Sequence, residues 1–220
     1  MIGLVDYGMG NRRSVEKALE HVGASVLVSS DPSALAHARA LVVPGVGAFP
    51  RAMERLRALG LDGFLVERAN AGVPLLGICL GMHLFFERST ELGGSEGLGI
   101  VPGEVRALAA GGLKTPQIGW NEVRWERSAP ALEGLGEAAV FYHVHSFVAV
   151  PDDPADVIGT AEYGERFTSV VARDSFLGVQ FHPEKSSVDG LRLLANWVAL
   201  AEPPMAGGMP PVAGGRRSAA

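Results

Sequence analysis

Along the first hundred residues, short apolar runs alternate with stretches in which apolar side chains recur every three or four positions. "IGLVDY" near the start reads as a buried strand, after which Val15, Ala18, Leu19 and Val22 recur at helical spacing. Asn11 or Ser14 can cap the start of that helix, and Gly23 suits its end. "ASVLVSS" predicts a second strand. Asp31 followed by Pro32 marks a helix start, and "ALVVPGVG" predicts a strand running into a glycine loop. Two helical stretches, about 49–59 and 62–71, precede the strand "VPLLGI".

From about residue 101 to 182 the pattern changes. "NEVRWE", "AVFYHVHSFVAV", "DVIGTAEY", "TSVVARD" and "FLGVQF" are β-rich runs separated by turn residues, which predicts antiparallel pairs. A helix from about 186 to 201 follows. Strands alternating with helices and then β-rich pairs predict an α/β fold with an open mixed, mainly parallel sheet flanked by helices and flavodoxin-like layering.

At 220 residues and 47% hydrophobic, the chain can bury one sizeable core, so residues 1–201 are expected to form one domain. The Pro-, Gly- and Ala-rich residues 202–220 are expected to form a disordered tail. The single cysteine excludes an internal disulfide, and "MIGLVDYGMGNRRS" lacks the pattern of a secretory signal. A cytoplasmic location is expected. A net charge of -5 and the absence of a long apolar span argue against nucleic-acid and membrane partners.

Candidate chemistry centres on "GICLG" at 77–81, where a strand meets a predicted helix. Small flanking residues let a tight turn present Cys79 at the carboxyl end of the sheet, and a helix starting at Leu80 would favour thiolate and offer its N–H to an oxyanion. The plain alternative is a small buried hydrophobe. A base is offered by "QFHPEKS": Pro183 biases His182 toward extended geometry, so His182 and Glu184 project to one side and the carboxylate can fix the imidazole tautomer. Singly, each also reads as a surface residue. The loop Pro44-Gly45-Val46-Gly47 can turn an N–H toward a ligand, or be an ordinary glycine turn. His143 and His145 share a sheet face, but no carboxylate or cysteine set accompanies them, which leaves a metal reading weak. His21 and His37 fall in helices and are expected to be solvated.

Together, "VDYGMGN", "PGVGAF", "GICLGM", "IGWN", "HVHSF" and "QFHPEKS" resemble the class I, triad-type glutamine amidotransferases over about residues 1–201, and more finely the glutaminase subunits of imidazole glycerol phosphate synthase. The resemblance implies hydrolysis of glutamine to glutamate and ammonia, with Cys79 as nucleophile, His182 as acid and base, and Glu184 orienting His182. It implies an oxyanion and substrate site from Gly45, Val46, Gly47, Leu80, His83, His145, Ser146 and Phe147, with no metal and no cofactor. The partner implied is a (βα)₈-barrel cyclase in a heterodimer, which receives the ammonia through a sealed channel. Its products would be imidazole glycerol phosphate and an aminoimidazole carboxamide ribotide of histidine biosynthesis. Asn11, Trp120, Tyr142 and Lys185 would contact or signal to that partner, although Trp120 and Tyr142 also read as core aromatics.

Two positions depart from the family pattern. His83 stands where a substrate-holding glutamine is usual; a cationic His83 would repel the ammonium group of glutamine at acidic pH. Gln117 stands where a histidine often precedes the "IGWN" segment. The competing readings are a glutaminase for another acceptor, such as that of vitamin B6 synthase, a cysteine peptidase of the same fold, and a catalytically silent regulatory subunit.

Overall fold

The computed structural model describes residues 1–201, so the expected tail lies outside the described residues. The first half runs β1 (Ile2–Val5), α1 (Arg12–His21), β2 (Val26–Ser29), α2 (Pro32–Leu35), β3 (Ala40–Gly45), α3 (Phe49–Ala58), α4 (Leu61–Asn70), β4 (Leu75–Cys79) and α5 (Leu80–His83). There follow β5 (Phe86–Ser89), β6 (Ser95–Glu96), β7 (Val101–Ala107), β8 (Gln117–Trp125), β9 (Ala138–His145), β10 (Phe147–Pro151), β11 (Val157–Tyr163), β12 (Glu165–Arg173), β13 (Phe176–Val179) and α6 (Ser187–Ala201).

One sheet takes in all these strands. The part that carries Cys79 is parallel, in the order β2-β1-β3-β4-β13. Beyond β13 the sheet continues through antiparallel β12 and β10, and β11, β8 and β9 form an antiparallel arm off β12. Strand alternation divides the apolar side chains into two cores. Ala40 and Val42 of β3 join Val15 and Leu19 of α1 and Leu193 and Trp197 of α6 on one face. Leu41 and Val43 join Phe49 and Leu56 of α3 and Leu65 of α4 on the other. Each such leucine, removed from water, contributes roughly 2 kcal/mol, so both faces of β3 and β4 resist displacement.

Local chemistry explains the start of α2, and three expectations need correction. Asp31 caps α2 by accepting from the Ser33 N–H at 2.8 Å. Asn11 occupies the N-cap position of α1, but its Oδ1 accepts from the Ser14 hydroxyl at 2.9 Å, so neither residue's side chain caps a backbone N–H there. The apolar run "AVFYHVHSFVAV" is two strands, β9 and β10, parted at Ser146. His37 is exposed, as expected, but lies in the turn after the short α2 rather than within a helix.

Candidate active site

The parallel strands deliver Cys79 to a turn that few residues tolerate. Cys79 sits at φ 55° and ψ -117°, outside the comfortable range of an L-residue. Gly45 pairs with it across β3 and β4. The close approach of the turn to β3 requires glycine: a Cβ on Gly81 would lie 1.8 Å from the Val43 carbonyl oxygen, and one on Gly45 would lie 2.6 Å from the Gly81 nitrogen. The Tyr7 hydroxyl donates to the Pro44 carbonyl at 2.7 Å and seats the same loop from below.

The expected helix after Cys79 is a single turn, Leu80–His83. The chain leaves it because Phe85 and Phe86 are drawn into the core, Phe85 stacking on Phe176 at 4.5 Å. A macrodipole sums aligned peptides, so four residues add little positive potential at the sulfur. Cys79 is also more enclosed than expected, at 6% exposure. It nevertheless lines a cavity of about 320 Å³ together with His182.

The positive charge beside the sulfur comes from His182. Its Nδ1 donates to Glu184 Oε1 at 3.0 Å, with both side chains buried. Burial disfavours the imidazolium, but hydrogen bonds to Cys79 and Glu184, reinforced by their charges, outweigh it and push His182 up to about 10. The imidazolium is therefore the resting form near neutral pH, with a proton ready for a leaving group. The backbone of His182 is pinned to β9: its N–H donates to the Tyr142 carbonyl at 2.9 Å, the Tyr142 N–H donates to Ser186 Oγ at 3.0 Å, and that hydroxyl donates to the His182 carbonyl at 2.6 Å.

Most residues expected in the site line this cavity: Val46, Gly47, Leu80, His83, His145, Ser146, Phe147 and Lys185 join Cys79 and His182. Gly45 and Glu184 do not line it; Gly45 underlies the turn and Glu184 stands behind His182. Trp120 and Tyr142 are not core aromatics. They meet edge-to-face at 6.0 Å on the outer side of β8 and β9, where Trp120 is 55% exposed and Lys185 lies 6.0 Å from the Tyr142 ring. Asn11 does not line the cavity; it stands at the start of α1.

The other buried histidines, His83, His143 and His145, are held neutral. His143 donates through Nδ1 to the Phe141 carbonyl and accepts from Ser169 Oγ, both at 3.0 Å, so hydrogen bonds inside the fold engage both ring nitrogens. His145 donates through Nδ1 to the Phe147 carbonyl at 2.9 Å. Burial lowers His83 and His143 to about 4 and His145 to about 3. His83 thus stays neutral through the acidic range considered above, and glutamine KM should be flat between about pH 6 and 8 in this respect.

The same shifts predict acid sensitivity. An unfolded imidazole takes up its proton near about pH 6.5, whereas these three refuse it down to about 4 or below. Their contribution is full above about 6.5 and declines below it, by up to about 1.4 kcal/mol per pH unit for each histidine. His182 has the opposite sign: its contribution is full below about 6.5 and is lost as pH rises through about 10. Urea midpoints should therefore fall steeply between about pH 6.5 and 4.5; constant midpoints would contradict neutral burial.

Sequence reasoning missed four cavity or site residues. Glu91 lines the cavity while its carboxylate accepts from the Phe49 N–H at 2.8 Å, a contact across 42 residues that no local pattern signals. Pro116 and Val144 also line it. Gln180 is fully buried beneath the site and was readable in principle, since it stands two positions before His182.

A family model described as glutamine amidotransferase class-I matches residues 3–200. The HisH subunit of imidazole glycerol phosphate synthase from Bacillus cereus (strain G9842) is 47% identical over 203 residues, covering 92% of this chain and 96% of that protein. That of Salinibacter ruber (strain DSM 13855 / M31) is 48% identical over 206 residues, covering 91% and 94%. A solved glutamine amidotransferase superposes with a TM-score of 0.70 at 22% identity, over 91% of this chain and 98% of its own. The glutaminase domain of Trypanosoma brucei CTPS with bound acivicin gives 0.65 at 18%, over 91% and 92%. At such identities the last two show the fold alone.

Proposed function

Since the chain belongs to the class I glutamine amidotransferases, within the HisH subunits of imidazole glycerol phosphate synthase, we propose that Cys79, His182 and Glu184 carry its glutaminase reaction. The reaction is hydrolysis of glutamine to glutamate and ammonia for histidine biosynthesis. The observation that supports the residue assignment best is a single cysteine at a strained turn beside an imidazolium held by a buried carboxylate.

In this reading Cys79 thiolate attacks the side-chain amide carbon of glutamine. The oxyanion is held by the Leu80 N–H and by an N–H of the Gly45–Gly47 loop. His182 gives its proton to the departing ammonia, leaving a thioester. Neutral His182 then takes a proton from water, whose hydroxide displaces the cysteine and releases glutamate. Glu184 holds the Nδ1 proton throughout. Val46, Gly47, His83, His145, Ser146 and Phe147 enclose the substrate. The cytoplasm suits a nucleophile that must stay a free thiol.

The partner is a cyclase subunit of (βα)₈-barrel fold, which consumes the ammonia. The exposed apolar face of β8 and β9, with Ile118, Trp120 and Val140, adjoins the cavity through Val144 and supports docking there. Ammonia released into water becomes mostly ammonium, which has no lone pair for attack, so a covered exit preserves the nucleophile. Trp120→Ala should weaken cyclase binding by roughly tenfold or more, measured by titration calorimetry. Co-purification with the cyclase, followed by glutamate release with and without the cyclase ligand, tests the whole reading. Release should rise on the order of tenfold or more when both are present, and absence of glutamate release in the loaded complex would refute it.

A further inference from the structure

Gln180 has no exposed surface, although a primary amide buried without partners is destabilising. Both ends of its amide are engaged by the active site. Oε1 accepts from His83 Nε2 at 2.8 Å, and Nε2 points at Cys79 Sγ at 4.0 Å. The two ends are not interchangeable. With Nε2 of His83 carrying the proton, only the carbonyl end of Gln180 can face it, which turns the N–H₂ end toward the sulfur. The other amide orientation would set a carbonyl oxygen against a thiolate.

We propose that Gln180 donates a side-chain N–H to the Cys79 sulfur and so stabilises its thiolate, with His83 as the positioning residue that holds the amide in the donating orientation. This rests on Cys79 being the glutaminase nucleophile. The donor is separate from His182 and comes from the strand end that also carries His182. The contact is long for a neutral thiol. Ionisation draws the donor in, because hydrogen bonds to a charged acceptor are shorter and stronger, and catalytic contacts are commonly loose before the charge develops. Burial keeps His83 neutral, so its single proton stays committed to the Gln180 carbonyl across the working pH range.

The titratable groups around the sulfur are Tyr7 after β1, His83 of α5, His145 of β9 and His182 after β13, with Glu184 behind His182; Glu91 and Lys185 also line the cavity. Tyr7 is raised by burial and by the charge of Cys79, well beyond the range in which it would ionise during such a measurement.

The chain has one cysteine, so carbamoylmethylation of the full-length protein by iodoacetamide reads Cys79 alone. Rate against pH gives the thiolate fraction, and the high-pH plateau gives access. Gln180→Leu should slow alkylation about tenfold on the acidic limb, while leaving the plateau within about twofold. His83→Leu should shift the limb in the same direction by about threefold and add nothing in the Gln180→Leu background. His83→Gln, which can still donate to the carbonyl, should restore the wild-type limb. If Gln180→Leu does not fold, the isosteric Gln180→Glu decides: replacing the donor by a carboxylate should slow the acidic limb at least as much. Superimposable limbs in folded Gln180 variants, or changes confined to the plateau, would overturn the proposal. A wild-type Cys79 that fails to alkylate at any pH would instead count against the glutaminase assignment.

Discussion

Replacing Cys79 by serine should lower glutamine hydrolysis by at least about 10⁴-fold, while the complex with the cyclase continues to make product from added ammonium salt. Serine fits the same turn, and its hydroxyl is isosteric enough to leave the 320 Å³ cavity intact. What it lacks is an accessible anion. Beside the Cys79 sulfur His182 rests as imidazolium: burial opposes the charge, but contacts with Cys79 and Glu184 outweigh it and push His182 up to about 10. Serine cannot supply a stable alkoxide to that cation, so the attacking electron pair is gone before the first step. Glutamate release and ammonium-dependent product formation, measured on the same preparation, separate lost chemistry from lost assembly. Hydrolysis within tenfold of wild type would mean that another nucleophile does the work.

Gly81→Ala should be the most damaging change that touches no reacting atom. Its added methyl would lie 1.8 Å from the Val43 oxygen, against a strand packed on both faces. Neither backbone can yield without moving the Cys79 turn or the loop after β3. A loss of more than about 4 kcal/mol is expected, in the range that single substitutions rarely reach, together with loss of glutamine turnover. Gly63→Ala is the matching control: Gly63 lies in α4, with nothing within 4 Å of its added Cβ. There the substitution should be neutral or stabilising by up to about 1 kcal/mol. Equal urea midpoints for the two variants would refute the backbone-contact account of the turn.

The grouping of Cys79, His182 and Glu184 could be read from the chain because its signals are local. Glycines two positions either side of Cys79 allow a tight turn, and the spacing of His182 and Glu184 puts an imidazole and a carboxylate on one side. The parallel core was readable for the same reason, since the fully apolar "ALVV" and "LLGIC" runs leave no solvent face. What escaped notice depends on distant neighbours. The length of α5 is set by where Phe85 finds Phe176, and the cation beside the sulfur comes from partners a hundred residues apart in sequence. Trp120 is equally silent in sequence: an aromatic on an alternating strand faces a core or a partner according to what covers that face, and here the described residues leave Trp120 55% exposed.

The seat of His182 on β9 separates two kinds of change. His182 is held through the main-chain carbonyl and N–H of Tyr142, bridged by the Ser186 hydroxyl, while the Tyr142 ring points the other way, toward Trp120 and Lys185. Any L-residue except proline supplies those two main-chain groups. Recognition at position 142 is thereby modular: its side chain can be exchanged to suit a different companion protein while the imidazole keeps its mooring, whereas Ser186 has no such liberty.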